Sequence, residues 1–240
     1  MQSSNPIFSS LSKNGYATDK VATKAGISTK TFILLAITVI SGFLSIYIPV
    51  NVLEPLLIVS GIVAFIAVIV SMFKPKLSML AGIVYSVSEG ILYGIVTYYL
   101  NQFFPGVGAT AMMGTAVVFV VMLVLYNTGL LRGSALLRKI VIGSLISMLV
   151  GTLVVSIMSL TNPVFLVELA NNFGLALFIS IFSVVLGAFM LTLDFNRADQ
   201  VIAMGLGKEY EWAAALGFMI TLIYIYINIL RLLVVLQRNR

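Results

Sequence analysis

Seven long, mostly apolar runs, at about 31–50, 54–73, 77–100, 107–128, 139–160, 172–194 and 211–236, dominate this chain. A hydrocarbon core about 30 Å thick takes roughly 20 helical residues to cross. Lipid satisfies no free backbone N–H or C=O, so each run must be a helix. The chain reads as an all-α polytopic membrane protein with seven transmembrane helices. Composition agrees: 60% of the 240 residues are hydrophobic and only 9% are charged, against about 25% charged in a soluble domain. Residues 1–30 are a polar tail with no apolar run and so no signal peptide, 31–236 form the membrane domain, and 237–240 are a short C-terminal tail. The connections are short and hold breakers such as Lys74-Pro75-Lys76 and Phe104-Pro105-Gly106.

Basic residues orient the spans. Lys13, Lys20, Lys24 and Lys30 lie in the tail, and Lys74, Lys76, Arg132, Arg138, Lys139, Arg197 and Lys208 lie in alternate loops. The intervening loops hold no Lys or Arg, so the N-terminus is expected in the cytoplasm of a bacterial-type inner membrane. Arg238 and Arg240 then fall outside, or the last helix ends or re-enters on the cytoplasmic side. The sequence holds no Cys and no His, which excludes disulfides, thiolate nucleophiles and imidazole metal or haem ligation. No phosphate-binding glycine loop is present, the seventh span lacks a Schiff-base Lys, and the net charge of +6 reports topology rather than nucleic-acid binding. No cofactor and no enzymatic activity are expected.

The few polar groups inside the spans are the candidate site. Ser78, Gly82, Ser86, Gly90 and Gly94 recur every four residues on the third span, the spacing of a helix-packing ridge. Glu89 lies beside that ridge, with Tyr85 and Tyr93 one turn away on either side. An ionisable group at that depth costs several kcal/mol unless neutralised, paired or wetted. It marks either a site or a protonated Glu hydrogen-bonded between helices. Ser180, Ser183, Gly187 and Asp194 share one face of the sixth span. Asp194, at the end of that span, is either a pathway residue or an interfacial acid capped or paired with Arg197. Gly217, Thr221, Tyr224, Asn228 and Arg231 step by four and three along the seventh span, a polar seam that a lipid-facing helix would not carry. Arg231 either joins that seam or snorkels to the outer interface. At about 1.5 Å per residue, Glu89 falls level with Asn228 and Arg231, with Asp194 well below. Glu89 is therefore expected to bond Asn228 or Arg231.

Several stretches carry a family resemblance: Ser4-Asn5-Pro6-Ile7-Phe8, Tyr85 to Gly90 with Gly94, Gly114-Thr115 through Tyr126 and Gly129, Leu193-Asp194-Phe195-Asn196, Tyr210-Glu211-Trp212 through Gly217, and Tyr226 to Leu233. In this order and on these spans, the chain resembles the Bax inhibitor-1 family of membrane proteins, particularly its bacterial branch. The resemblance implies six helices surrounding a central C-terminal one. It also implies a pH-sensitive calcium leak controlled by paired acids on the last two helices. The sixth-helix acid carries over to Asp194. Its partner falls on Asn228 or near Phe218, neither an acid, so a proton-sharing carboxylate pair cannot form there.

The leading expectation is a passive calcium or proton-sensitive cation leak, with Asp194 as cytoplasmic gate and Glu89 as mid-membrane station. Thr221, Tyr224, Asn228 and Arg231 would line or gate the pathway, and Asp194 and Glu89 would make transient calcium contacts. The alternative is a regulator that binds a membrane-bound quality-control protease through the tail, an interaction the resemblance implies.

Overall fold

A computed structural model describes residues 21–239, and most of the polar tail, including Ser4–Phe8, lies outside them. Among the described residues the chain forms eight α-helices. They are α1 (Lys24–Ser45), α2 (Leu53–Phe73), α3 (Ser78–Phe103), α4 (Val107–Asn127), α5 (Ala135–Thr161), α6 (Pro163–Asn171), α7 (Phe173–Ala203) and α8 (Glu209–Arg238). All but the short α6 are long and apolar enough to cross a membrane, so the chain is an integral membrane protein.

Local chemistry sets the ends. Thr23, Ser134, Asn162 and Asn172 cap α1, α5, α6 and α7 by accepting from backbone N–H groups of the first turns. Gly106 before α4 and Gly205 after α7 take positive φ, +81° and +64°, where a β-carbon would be strained. Two boundaries differ from the expected ones. Helix α1 starts at Lys24 rather than 31, because Thr23 supplies the cap. Helix α7 runs nine residues past Asp194, because the polar Asn196–Gln200 stretch stays helical once its side chains find partners on neighbouring segments.

The C-terminal helix is central. Helices α1, α3, α4 and α7 pack along α8, the 3₁₀ turn Pro75–Leu77 lies against its start, and Tyr224 reaches Met148 on α5. Ala64 and Ala67 of α2 join the buried cluster formed with Ala215, Leu216, Met219 and Ile223. On the other side Phe195 of α7 stacks among Phe218, Tyr126 and Phe119, at centroid distances of 5.2, 5.3 and 5.7 Å. That aromatic knot fixes the rotation of α7 against α4 and α8.

The ends of the bundle are distinguishable. Ala22 N–H donates to Leu206 O at 2.8 Å, and Asn196 Nδ2 donates to Gly133 O at 3.0 Å. These contacts gather residue 21, the 128–134 turn and the 204–208 turn at one end, here called the basic end. At the opposite end Arg238 Nη2 donates to Asn171 Oδ1 at 3.1 Å. Helix α8 therefore runs the length of the bundle, its start and its end lying at opposite ends.

The small-residue ridge on α3 is a packing ridge, as its spacing indicates. Ser41 Oγ of α1 donates to Ser86 O at 3.4 Å, and Gly42 packs against Gly90 and Gly94. A β-carbon on Gly94 would sit 2.5 Å from Gly42 Cα, and one on Gly90 would collide with Ser41 Oγ and Thr38 O. Gly90→Ala and Gly94→Ala should each lower stability by about 1–3 kcal/mol, read as a drop in thermal unfolding midpoint in detergent. Gly143→Ala, where nothing lies within 4 Å, should leave the midpoint unchanged or raise it.

Candidate functional site

Helix α7 buries the face predicted from its spacing. Ser180 and Ser183 are fully buried and return their hydroxyls to Ala176 O and Ile179 O, while Gly187 lets Tyr224 and Ile225 of α8 approach. Two turns further on the same face is Asp194. Its Oδ2 accepts a 2.5 Å hydrogen bond from Thr221 Oγ1, and its Oδ1 points toward Gly217. Asp194 lies about 13 Å inside the end of α7. Among the described residues it forms no ion pair with Arg197 within 4 Å, so the pairing with Arg197 is not made.

The partner of Asp194 is thus a hydroxyl, and neither residue suggested by the family pattern takes that place. Phe218 turns away into the aromatic knot. Asn228 lies two turns beyond Thr221 and donates to its own helix at Tyr224 O, 2.8 Å away. Gly217, Thr221 and Tyr224 meet α7 and Asn228 follows on the same face by helical spacing, whereas Arg231 is exposed.

Glu89 does not bond Asn228 or Arg231, and helix register explains why. Helices α3 and α8 run parallel from the basic end, and Thr97 Oγ1 and Tyr226 OH are hydrogen-bonded at 2.7 Å. Glu89 lies eight residues below that level and Asn228 two above it, an axial separation of roughly 15 Å. The expectation failed because depth was counted from loop charges, whereas α8 starts deeper relative to α3 than those charges imply.

The same register overturns the expected two polar levels. Glu89 lies level with about residue 218 of α8, within roughly 5 Å along the axis of the Asp194–Thr221 pair. Tyr85 and Tyr93, flanking Glu89, pack in the cluster on the Leu216–Met219–Ile223 face of α8. Thr221 and Gly217 lie about half a turn round from that face. The two acids therefore flank the central helix at one depth. Near them Ser86 Oγ, Glu89 Oε2 and Thr192 Oγ1 are buried and accept or donate no hydrogen bond within the protein. Such atoms are unusual, because buried polar atoms in proteins are nearly always bonded. Among the described residues no group of three or more acidic side chains gathers to hold a metal ion.

On its outer side Asp194 borders an open cleft of about 460 Å³ between α5 and α7, with Arg138, Arg197 and Gln200 at one end and Leu145 and Met190 at the other.

An ionic clasp closes the basic end beneath these residues. Glu211, only 3% exposed, accepts from Thr23 N–H at 2.8 Å and Thr23 Oγ1 at 3.2 Å, and forms an ion pair with Lys30. The Lys30 ammonium also donates to Lys208 O at 3.0 Å and lies 5.2 Å from the Trp212 ring centroid. Asp199 pairs with Lys24 at 2.9 Å and accepts from Tyr126 OH at 2.6 Å. Sequence reasoning noticed Glu211 and Trp212 only as the start of the last span. The signal it passed over was the matching pair of acids, Asp199 and Glu211, facing the pair Lys24 and Lys30 across the chain.

Lys30→Ala should destabilise by about 3–5 kcal/mol, since it strands a buried carboxylate. Lys24→Ala, at an exposed pair, should cost under about 1 kcal/mol; similar losses in thermal midpoint for both would contradict the difference in burial. For the inner site, Asp194→Asn and Thr221→Val combined in a double-mutant cycle should show a coupling of about 1.5–3 kcal/mol, the range for a hydrogen bond to a charged group.

A family model described as Bax inhibitor 1 like matches residues 5–238. Comparison with curated proteins found no match. The match spans nearly the whole chain, including the α3 ridge, the Asp194 segment and the central helix, and the chain belongs to the Bax inhibitor 1-like family.

Proposed function

We propose that this protein is a passive, proton-sensitive cation leak pathway, with calcium as the leading ion, whose basic end faces the cytoplasm of a bacterial-type inner membrane. The observation that carries the reading is the pair of acids flanking α8 at about one depth, with Glu89 Oε2 and, next to Asp194 on α7, Thr192 Oγ1 left without a hydrogen bond inside the protein. Oxygen-rich, incompletely satisfied surroundings at membrane depth are what a partly dehydrated cation requires. A purely structural layer would be expected to saturate its own polar atoms.

In this reading Asp194 is the gate. Ionised, it accepts from Thr221 and holds α7 against the central helix. Neutralised by a proton or a cation, it loses the charge that strengthens that bond, and the α7–α8 contact weakens. The hydroxyl partner gives one titrating group on this face of α8 in place of an interacting acid pair, so the response to pH should follow a single step. Glu89 supplies the second station on the α3 side. Distribution of Lys and Arg supports the orientation. A partner protein docked through the N-terminal tail would involve mainly residues outside the described ones.

The test is calcium influx into proteoliposomes of purified protein between pH 5 and 8. Wild-type flux should change with pH in one sigmoidal step. Asp194→Asn should remove that dependence, Glu89→Gln should reduce flux at every pH, and Thr221→Val should shift the step while keeping its shape. Flux no greater than that of empty liposomes, with the protein folded, would end the reading.

A further inference from the structure

We propose that the cleft between α5 and α7 binds an anionic phospholipid, with its phosphate on Arg138 and Arg197 and one acyl chain along the wall above them. The argument starts from charge. Arg138 and Arg197 are exposed side chains lining one cleft, and among the described residues neither has an acidic partner within 4 Å. The nearby acids, Asp194 and Asp199, have other hydrogen-bond or ion-pair partners. Asp194 also lines the cleft, but its Oδ2 accepts from Thr221 and its Oδ1 lies toward Gly217, and it forms no ion pair with either arginine within 4 Å. Asp199 is held by Lys24 and Tyr126. Two guanidiniums therefore present unshared donors at the cleft mouth, a geometry suited to the oxygens of a phosphate.

Helix direction supplies the second half. Helices α5 and α7 are antiparallel, so Arg138 in the first turn of one and Arg197 near the end of the other lie together at the basic end. The tie from Asn196 Nδ2 to Gly133 O, 3.0 Å, holds the start of α5 beside α7 at this point. From there Ile142 and Leu145 climb one wall and Leu193 and Met190 the other. Leu145 and Met190 are each seven residues from their arginine, about 10 Å up the axis. The cleft is thus cationic at one end and apolar for about 10 Å above, and it opens sideways where α5 shows Ile142 and Ile146 to the hydrocarbon. A free anion would use the arginines and leave the wall without purpose, whereas a phospholipid matches both parts.

The test uses full-length protein in phosphatidylcholine vesicles. Leu145→Trp places a fluorophore on the wall, with the unmodified chain reporting the background of Trp212, the sole native tryptophan. Phosphatidylglycerol or phosphatidylcholine with dibrominated chains is titrated in, and quenching is followed. Quenching by the anionic lipid should reach half-maximum at a mole fraction on the order of tenfold lower than by the neutral one. Adding Arg138→Gln and Arg197→Gln should abolish the preference, Arg138→Lys with Arg197→Lys should retain most of it, and Arg231→Gln at the opposite end should leave it intact. Parallel quenching by the two lipids, or a preference that survives both Gln substitutions, would overturn the site. Millimolar inorganic phosphate that erases the preference would also overturn it, by reassigning the arginines to a soluble anion. No ion flux is measured, so the result stands apart from the leak proposal.

Discussion

A helix that carries Glu211 at its base and Thr221 and Asn228 further along cannot face hydrocarbon, because lipid offers no partner for any of these groups. Burying α8 on every side is the constraint the other helices answer. The α3 face meets its apolar cluster, the α7 face meets its hydroxyl and amide seam, and α4 closes the gap through Phe119 and Tyr126, which pack on Phe195 beside Phe218. No hydrophobic effect drives helix against helix in a bilayer, so close contact must come from shape and hydrogen bonds. Gly42, Gly90 and Gly94 supply the shape where α1 and α3 touch.

The ionic groups divide by depth. At the basic end four charges and a tyrosine satisfy one another, with Glu211 buried and fully partnered. Two to three turns deeper, the acids Glu89 and Asp194 have between them one side-chain hydrogen bond, from Thr221. Saturated charge at the rim makes a fixed closure, while the inner layer keeps open valences at the depth where a permeating ion would need them. That contrast separates the clasp from the candidate site more clearly than charge count does.

Much of the framework was legible in one dimension. Spanning length and basic-loop alternation located seven crossings, and steps of three and four identified the buried faces of α3, α7 and α8. The faces were right because a side chain's direction on a helix depends only on the helical period. Two errors share a different cause. Loop composition puts Asp194 at the end of its helix and Glu89 level with Asn228, because it reports where the charges fall and not how deep each helix starts. Helix ends move when a polar segment finds partners across the bundle, as Asn196 and Asp199 do, and axial offset between helices depends on contacts such as Thr97 with Tyr226.

What the residues determined alone was therefore the number of crossings, the seam on the last helix and the membership of each buried face, all consequences of the bilayer's thickness and the 3.6-residue turn. Tertiary structure decided the pairing of Asp194 with Thr221, the common depth of the two acids, the ionic clasp and the cleft between Arg138 and Arg197. Those features depend on how far each helix slides along its neighbour. Sliding by one turn changes no helix's own pattern, yet it exchanges every partner across the interface, so only packing in three dimensions could choose among the registers.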